Sequence, residues 1–195
     1  MPIEMRSFAR SSLDDDERRE VEPVAMLADH LRDELAEREA AINQAHVVNA
    51  PSKDIQDIVA EILTDELGFA QEVVLTRQDG IVTHARPDFV YSLSPGRGVM
   101  AEVERGGTLN NNHDLKDMWK AHIAQDVQHL FLVVPNSNWT RTGGGREKPY
   151  PRVLNRIGAF FGTPRREVDV LSAHVFGYGW LSLEAAGQLR PDGGS

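Results

Sequence analysis

The chain has no cysteine among its 195 residues, which excludes disulfides and thiolate zinc sites and fits a reducing compartment. It has no apolar run near the roughly 20 residues needed to span a bilayer. Its first residues are acidic, where a secretory signal would be basic and then apolar. A cytoplasmic protein with no membrane partner is the expectation. Positive charge is also in short supply, with 21 Lys and Arg against 30 Asp and Glu and a net charge of -9. Taken whole, that balance runs against phosphate binding. No glycine run ends in the Lys-Ser/Thr of a phosphate-binding loop. His84, His113, His122 and His129 match no standard metal-ligand spacing, although His113 opens a helix beside the acidic cluster described below.

The positive charge that is present is concentrated. Residues 1–39 and 40–140 each carry -6, whereas residues 141–166 carry +6, with Arg141, Arg146, Lys148, Arg152, Arg156, Arg165 and Arg166 against Glu147 alone. Such a run is either a solvated basic face or a surface for a polyanion. Within it, Arg141 and the Gly143-Gly144-Gly145-Arg146 segment combine flexibility with charge, as a loop closing over a nucleic-acid backbone would. Trp119 and Trp180 read as core residues, and Trp139, set in a polar loop, reads either way.

Residues 1–22 are polar and read as a disordered or frayed lead-in. The pattern then predicts a helix from Pro23 to about residue 46. Its stripe of Val24, Leu27, Leu31, Leu35 and Ile42 suits dimerisation or docking. This divides the chain into an N-terminal segment (1–48), an α/β core (49–187) and a tail (188–195). In the core, Ser52 caps a helix that runs to Leu67 and stops at Gly68. Strands over 72–77 and 81–91 are joined by Asp79-Gly80, and a third strand covers 98–104. A helix follows, with Leu115, Met118, Trp119, His122 and Ile123 on one face. The apolar run Leu130 to Val134 reads as a central buried strand, followed by a loop over 136–149, a helix over 153–161 and a strand within 168–180.

The most informative stretch is Ala85-Arg86-Pro87-Asp88-Phe89-Val90 with Val99-Met100-Ala101-Glu102-Val103-Glu104. Alternation along the strands places Asp88, Glu102 and Glu104 on one side and Val103 on the other. Carboxylates gathered in this way repel one another unless a cation neutralises them, and hard oxygen donors suit magnesium, manganese or calcium.

A capped helix ending at a glycine, a hairpin bearing Pro-Asp, a strand carrying acidic-x-acidic, a helix and an apolar strand together resemble the PD-(D/E)XK nuclease superfamily over about residues 52–135. The resemblance implies a restriction-endonuclease-like α/β/α sandwich with a central mixed sheet, in which Asp88 and Glu102 bind one or two Mg²⁺ (or Mn²⁺) ions. Glu104 stands where the commonest form of the family has Lys, and it would position or deprotonate the attacking water. An acidic residue on the first core helix is common in the family, which makes Asp57 or Glu61 a further metal ligand, or else part of a solvated acidic face. Lys116 and Lys120, four apart on the next helix, correspond to the basic position beside the scissile phosphate: Lys120 is the catalytic candidate, and Lys116 joins Arg141, Arg146, Lys148 and Arg152 as candidate nucleic-acid contacts. The activity implied is metal-dependent endonuclease cleavage of DNA, with RNA not excluded, in a restriction or defence setting. The enzyme would act as a homodimer or as the nuclease subunit of a larger complex. The alternative is a non-catalytic nuclease-like scaffold serving as an interaction or regulatory subunit, which the missing Lys at position 104 favours and the retained carboxylates oppose.

Overall fold

The computed structural model describes residues 3–46, 52–71, 73, 86–104, 111–139, 145–163 and 168–181. The elements in chain order are β1 (Glu4–Ala9), α1 (Asp15–Glu37), α2 (Glu39–Ala45), α3 (Ser52–Glu61, continued by a π-helical turn over Ile62–Glu66) and β2 (Ala70–Gln71). They continue with β3 (Phe89–Ser94), β4 (Arg97–Val103), α4 (His113–Ile123), β5 (His129–Pro135), β6 (Asn138–Trp139), β7 (Gly145–Glu147), α5 (Pro149–Gly158) and β8 (Ser172–Tyr178). Six strands form one mixed sheet in the order β1-β8-β5-β4-β3-β2. The central strands β8, β5 and β4 are parallel, and antiparallel partners flank them on both sides.

Side-chain alternation divides this sheet between two cores. Val99, Ala101, Val103, Phe131, Val133, Phe176 and Tyr178 face α1, α2 and α3. Met100, Leu130, Leu132, Val134, Ala173 and Val175 face α4 and α5. The α/β sandwich with a central mixed sheet is thus what the chain adopts. Both faces of β5 are covered, which explains why every residue of the strand is buried and Leu130 to Pro135 is a continuous apolar run.

Two N-terminal expectations are corrected. Residues 4–9 are no frayed lead-in, since β1 pairs along its whole length with β8, and Phe8 stacks on Phe161 at 6.0 Å. Nor does the helix begin at Pro23. Asp14 and Glu17 form a reciprocal capping box, in which the Asp14 carboxylate accepts from the Glu17 amide at 2.8 Å and the Glu17 carboxylate accepts from the Asp14 amide at 2.9 Å. Two satisfied donors fix that start, and Pro23 is left inside the helix. The stripe of Val24, Leu31, Leu35 and Ile42 is fully buried against this chain's own sheet, so the surface expected to pair protomers is consumed internally.

The α3 segment ends as the sequence predicts, with Gly68 at φ 75°, a backbone conformation that favours glycine. The expected Asp79-Gly80 hairpin lies outside the described residues. The described hairpin joins β3 to β4 through Pro95-Gly96. The buried face of α4 is also different: Asp114, Asp117, Met118 and Ala121 point inward, while Trp119 is 57% exposed and Trp180 is half-buried, against the core placement expected for both. The last helix starts at Pro149, four residues earlier than expected, and the segment read as a loop over 136–149 contains the β6–β7 pair.

Candidate active site

The C-terminal end of β4 carries Glu102, with Glu104 just beyond it, both facing residues of α4. Glu102 shares its side of the sheet with Met100, in the core under α4 and α5, and Val103 faces the opposite core. Glu102 is 4% exposed. A carboxylate that deep needs partners, and α4 supplies the main one: Lys120 Nζ donates to Glu102 Oε1 at 2.7 Å and lies 2.8 Å from Asp117 Oδ1. The amide of Asp88 lies 3.4 Å from Glu102 Oε2, while Asp88 Oδ2 accepts from the Val103 amide at 3.0 Å. Asp88 and Glu102 are therefore neighbours across the β3–β4 pair, as strand alternation requires. Glu104 points toward α4 as well, with Oε2 2.9 Å from His113 Nδ1, and its carbonyl accepts from Tyr178 at 3.0 Å.

Sequence reasoning missed Asp117. It is 2% exposed, lies three residues before Lys120, and is within hydrogen-bonding reach of the Glu104 carboxyl. Its Oδ2 has no hydrogen-bond donor among the described residues. The signal was present in the spacing, since His113, Asp117 and Lys120 recur at four and three residues and so share one helical face. The apolar residues beside them drew the assignment to a different face.

The electrostatics follow from burial. Burial pushes the Glu102 carboxyl up to about 8, and the Asp117 and Asp88 charges add to that against the opposing pull of Lys120. Burial likewise pushes Asp117 up to about 7, with Lys120 opposing and Glu104 reinforcing. Lys120 is held well above the usual lysine range: burial acts against its charge, but Asp117 and Glu102 outweigh that. One ammonium thus serves two buried carboxylates, with Asp88 and Glu104 close by. The cluster has room for more positive charge than the described residues supply.

Among the described residues, no group of three or more His, Asp or Glu side chains is arranged to hold a metal ion. Mg²⁺ commonly takes only one or two carboxylates and completes its octahedron with water and phosphate oxygens. The chemistry of the Asp88 and Glu102 donor set fits that role. Beside them opens a cavity of about 340 Å³ lined by Lys53, Gln56, Asp57, Ala60, Gln71, Asp88 and Phe89. The structure therefore brings Asp57 to the same cleft as Asp88. Glu61 is exposed and does not line that cleft.

Of the candidate nucleic-acid contacts, Lys116, Lys148 and Arg152 are exposed. Arg146 lies in β7, and Arg141 falls outside the described residues. Arg156 is committed inward, donating to buried Asp114 at 3.0 Å. The other histidines serve elsewhere: His122 Nδ1 accepts from the Asp169 amide, His129 contacts Glu20 and Ser172, and His84 falls outside the described residues.

No family model matches the chain, and no curated protein matches it. Among solved structures, it is similar to the restriction endonuclease BglII complexed with a DNA 16-mer, at 9% identity and a TM-score of 0.48, over 92% of this chain and 77% of that one.

Proposed function

We propose that the protein is a divalent-cation-dependent nuclease that hydrolyses DNA phosphodiester bonds. The observation that carries this reading is the constellation at the C-terminal end of β4: buried Glu102 bonded to Lys120, Asp88 beside it, and an open cleft adjoining Asp88. Asp88 and Glu102 would hold Mg²⁺ or Mn²⁺, and when bound the ion would offset charge developing on the phosphate and acidify a water.

This chain's own residues divide the remaining work. Lys120 holds the Glu102 carboxylate in place and would supply the positive charge that the strand, with Glu at position 104, does not. Glu104 is paired to His113, so a proton taken from water could pass to the imidazole. Asp57, which lines the same cleft as Asp88, would complete the cation's surroundings through water. A restriction or defence role and a cytoplasmic location belong to this reading. If protomers pair, they do so through a surface other than the buried stripe of α1.

The test is incubation of the purified protein with plasmid, linear and single-stranded DNA in Mg²⁺ or Mn²⁺, alongside Asp88→Ala, Glu102→Ala and Lys120→Ala. Cleavage by the wild type and its loss in all three variants is the expected result. Inertness of the wild type on every substrate refutes the reading, and cutting that survives Asp88→Ala and Glu102→Ala refutes the site.

A further inference from the structure

Trp119 follows from the same helix that delivers Lys120, yet it points outward and is 57% exposed, whereas Trp139 and Trp180 are half-buried. Successive α-helical residues are separated by about 100° around the axis, so the indole emerges roughly a quarter-turn from the Lys120 contact with Glu102. Lys116 lies between them, three residues before Trp119 and four before Lys120, and it too is exposed. The buried face of α4 is made by Asp114, Asp117, Met118 and Ala121, and the indole lies outside it, tilted against the His122 ring at 5.5 Å.

The surroundings indicate what the ring meets. On α4 and α5 both acids are turned inward and paired, Asp114 with Arg156 and Asp117 with Lys120. The outward charges of these helices and of the residue preceding α5 are Lys116, Arg152 and Lys148, all positive in a chain of net charge -9. Acidic residues border this face at Glu147, just before Lys148 and accepting from Asn138, and at Asp169, whose amide donates to His122 beyond the basic residues of α4. An exposed ring in a locally basic face beside a phosphodiester-cleaving site suits a polyanion that presents flat faces. In a duplex those faces are covered by the neighbouring base pairs, so a surface indole reaches them only where a base is unpaired.

The geometry points to Trp119 as a stacking platform for an unpaired base next to the scissile phosphate, which gives the enzyme a preference for single-stranded or locally melted nucleic acid. This inference rests on the nuclease reading and deepens it. It assigns the substrate form, and it makes Trp119 a substrate-contacting residue, with Lys116 engaging the adjoining phosphate.

The experiment measures binding by fluorescence anisotropy of a labelled single-stranded deoxyoligonucleotide and of its duplex. It is done at low salt with EDTA so that nothing is cut, using the full-length wild type, Trp119→Ala and Trp119→Phe. The wild type is expected to bind the single strand more tightly than the duplex. Trp119→Ala should lose about tenfold on the single strand with little change on the duplex, and Trp119→Phe should keep most of the affinity. Equal single-strand binding by wild type and Trp119→Ala, or equal losses on both forms, overturns the inference. So does a change of sedimentation mass in Trp119→Ala with single-strand binding intact, which would make this surface a contact between copies of the chain. Cleavage that depends on Lys120 while Trp119→Ala binds normally sinks this inference and leaves the nuclease reading standing; absence of any binding and of any cleavage sinks both.

Discussion

At the scale of single residues, the site is held between folding and chemistry. Glu102 sits beside Asp88 and within the field of Asp117, with the Lys120 ammonium touching it. Replacing Glu102 with Gln keeps an oxygen for Lys120 and removes a buried charge. Without metal, Glu102→Gln should therefore leave the urea midpoint unchanged or raise stability by about 1 kcal/mol, while cleavage falls at least a hundredfold. Lys120→Met does the opposite to the protein: it leaves two buried carboxylates without their counter-charge and should cost about 3 kcal/mol by urea denaturation. Asp88 and Glu102 could be read from strand alternation because a period of two needs only the sequence. Asp117 shares a helical spacing with His113 and Lys120, but that spacing does not single it out, because its value comes from which face of α4 the fold buries, and apolar spacing ranks Leu115 and Trp119 above it.

At the scale of elements, the N-terminal third shows where local sequence is a poor guide. The segment Glu4-Met5-Arg6-Ser7-Phe8-Ala9 is short and half polar, and only the exposed edge of β8 makes it a strand. The α1 stripe was legible as a stripe, but its destination was set by the sheet face formed 60 to 150 residues later in the chain. Leu31→Ala should thus cost about 3 kcal/mol by urea denaturation, as a cavity in a core rather than in an interface, with no change in sedimentation mass. A relay of hydrogen bonds, buried at His129, Ser172 and His174, fastens these elements: Arg97 to Glu20, Glu20 to His129, His129 to Ser172, Ser172 to His174, and His174 to Ser7. Burial, with the neighbouring charge of His129, pushes His174 from its ordinary 6.5 down to about 4. The unfolded chain takes up that proton first on acidification, so the stability present above 6.5 is lost as pH falls toward 4, by at most about 3 kcal/mol. His129, lowered by burial, acts in the same direction. Thermal unfolding followed from pH 7 to 4 should show this slope, and His174→Gln should flatten part of it.

At the scale of the whole molecule, an acidic protein that binds a polyanion must segregate its charge. The chain does so along its length, with residues 141–166 carrying +6 within a total of -9, and in space, with Lys116, Lys148 and Arg152 exposed around α4 and α5. Arg156 belongs to the same run in sequence but is bound to Asp114, so only part of the basic window is available to a ligand, a distinction that sequence cannot make. Phosphate contacts release condensed counterions, and each one steepens the fall of affinity with salt. If Lys148 and Arg152 each engage a phosphate, the double variant Lys148→Ala/Arg152→Ala should weaken binding to all sequences alike. It should also reduce the slope of log affinity against log salt concentration by about 2. Arg156→Ala should instead lower thermal stability by stranding the fully buried Asp114, with far less effect on that slope. Titrations at several salt concentrations, set beside melting curves of the same two variants, separate the exposed cations from the structural one. A slope that falls equally in both would mean that the basic face acts as diffuse charge and not through contacts at defined phosphates.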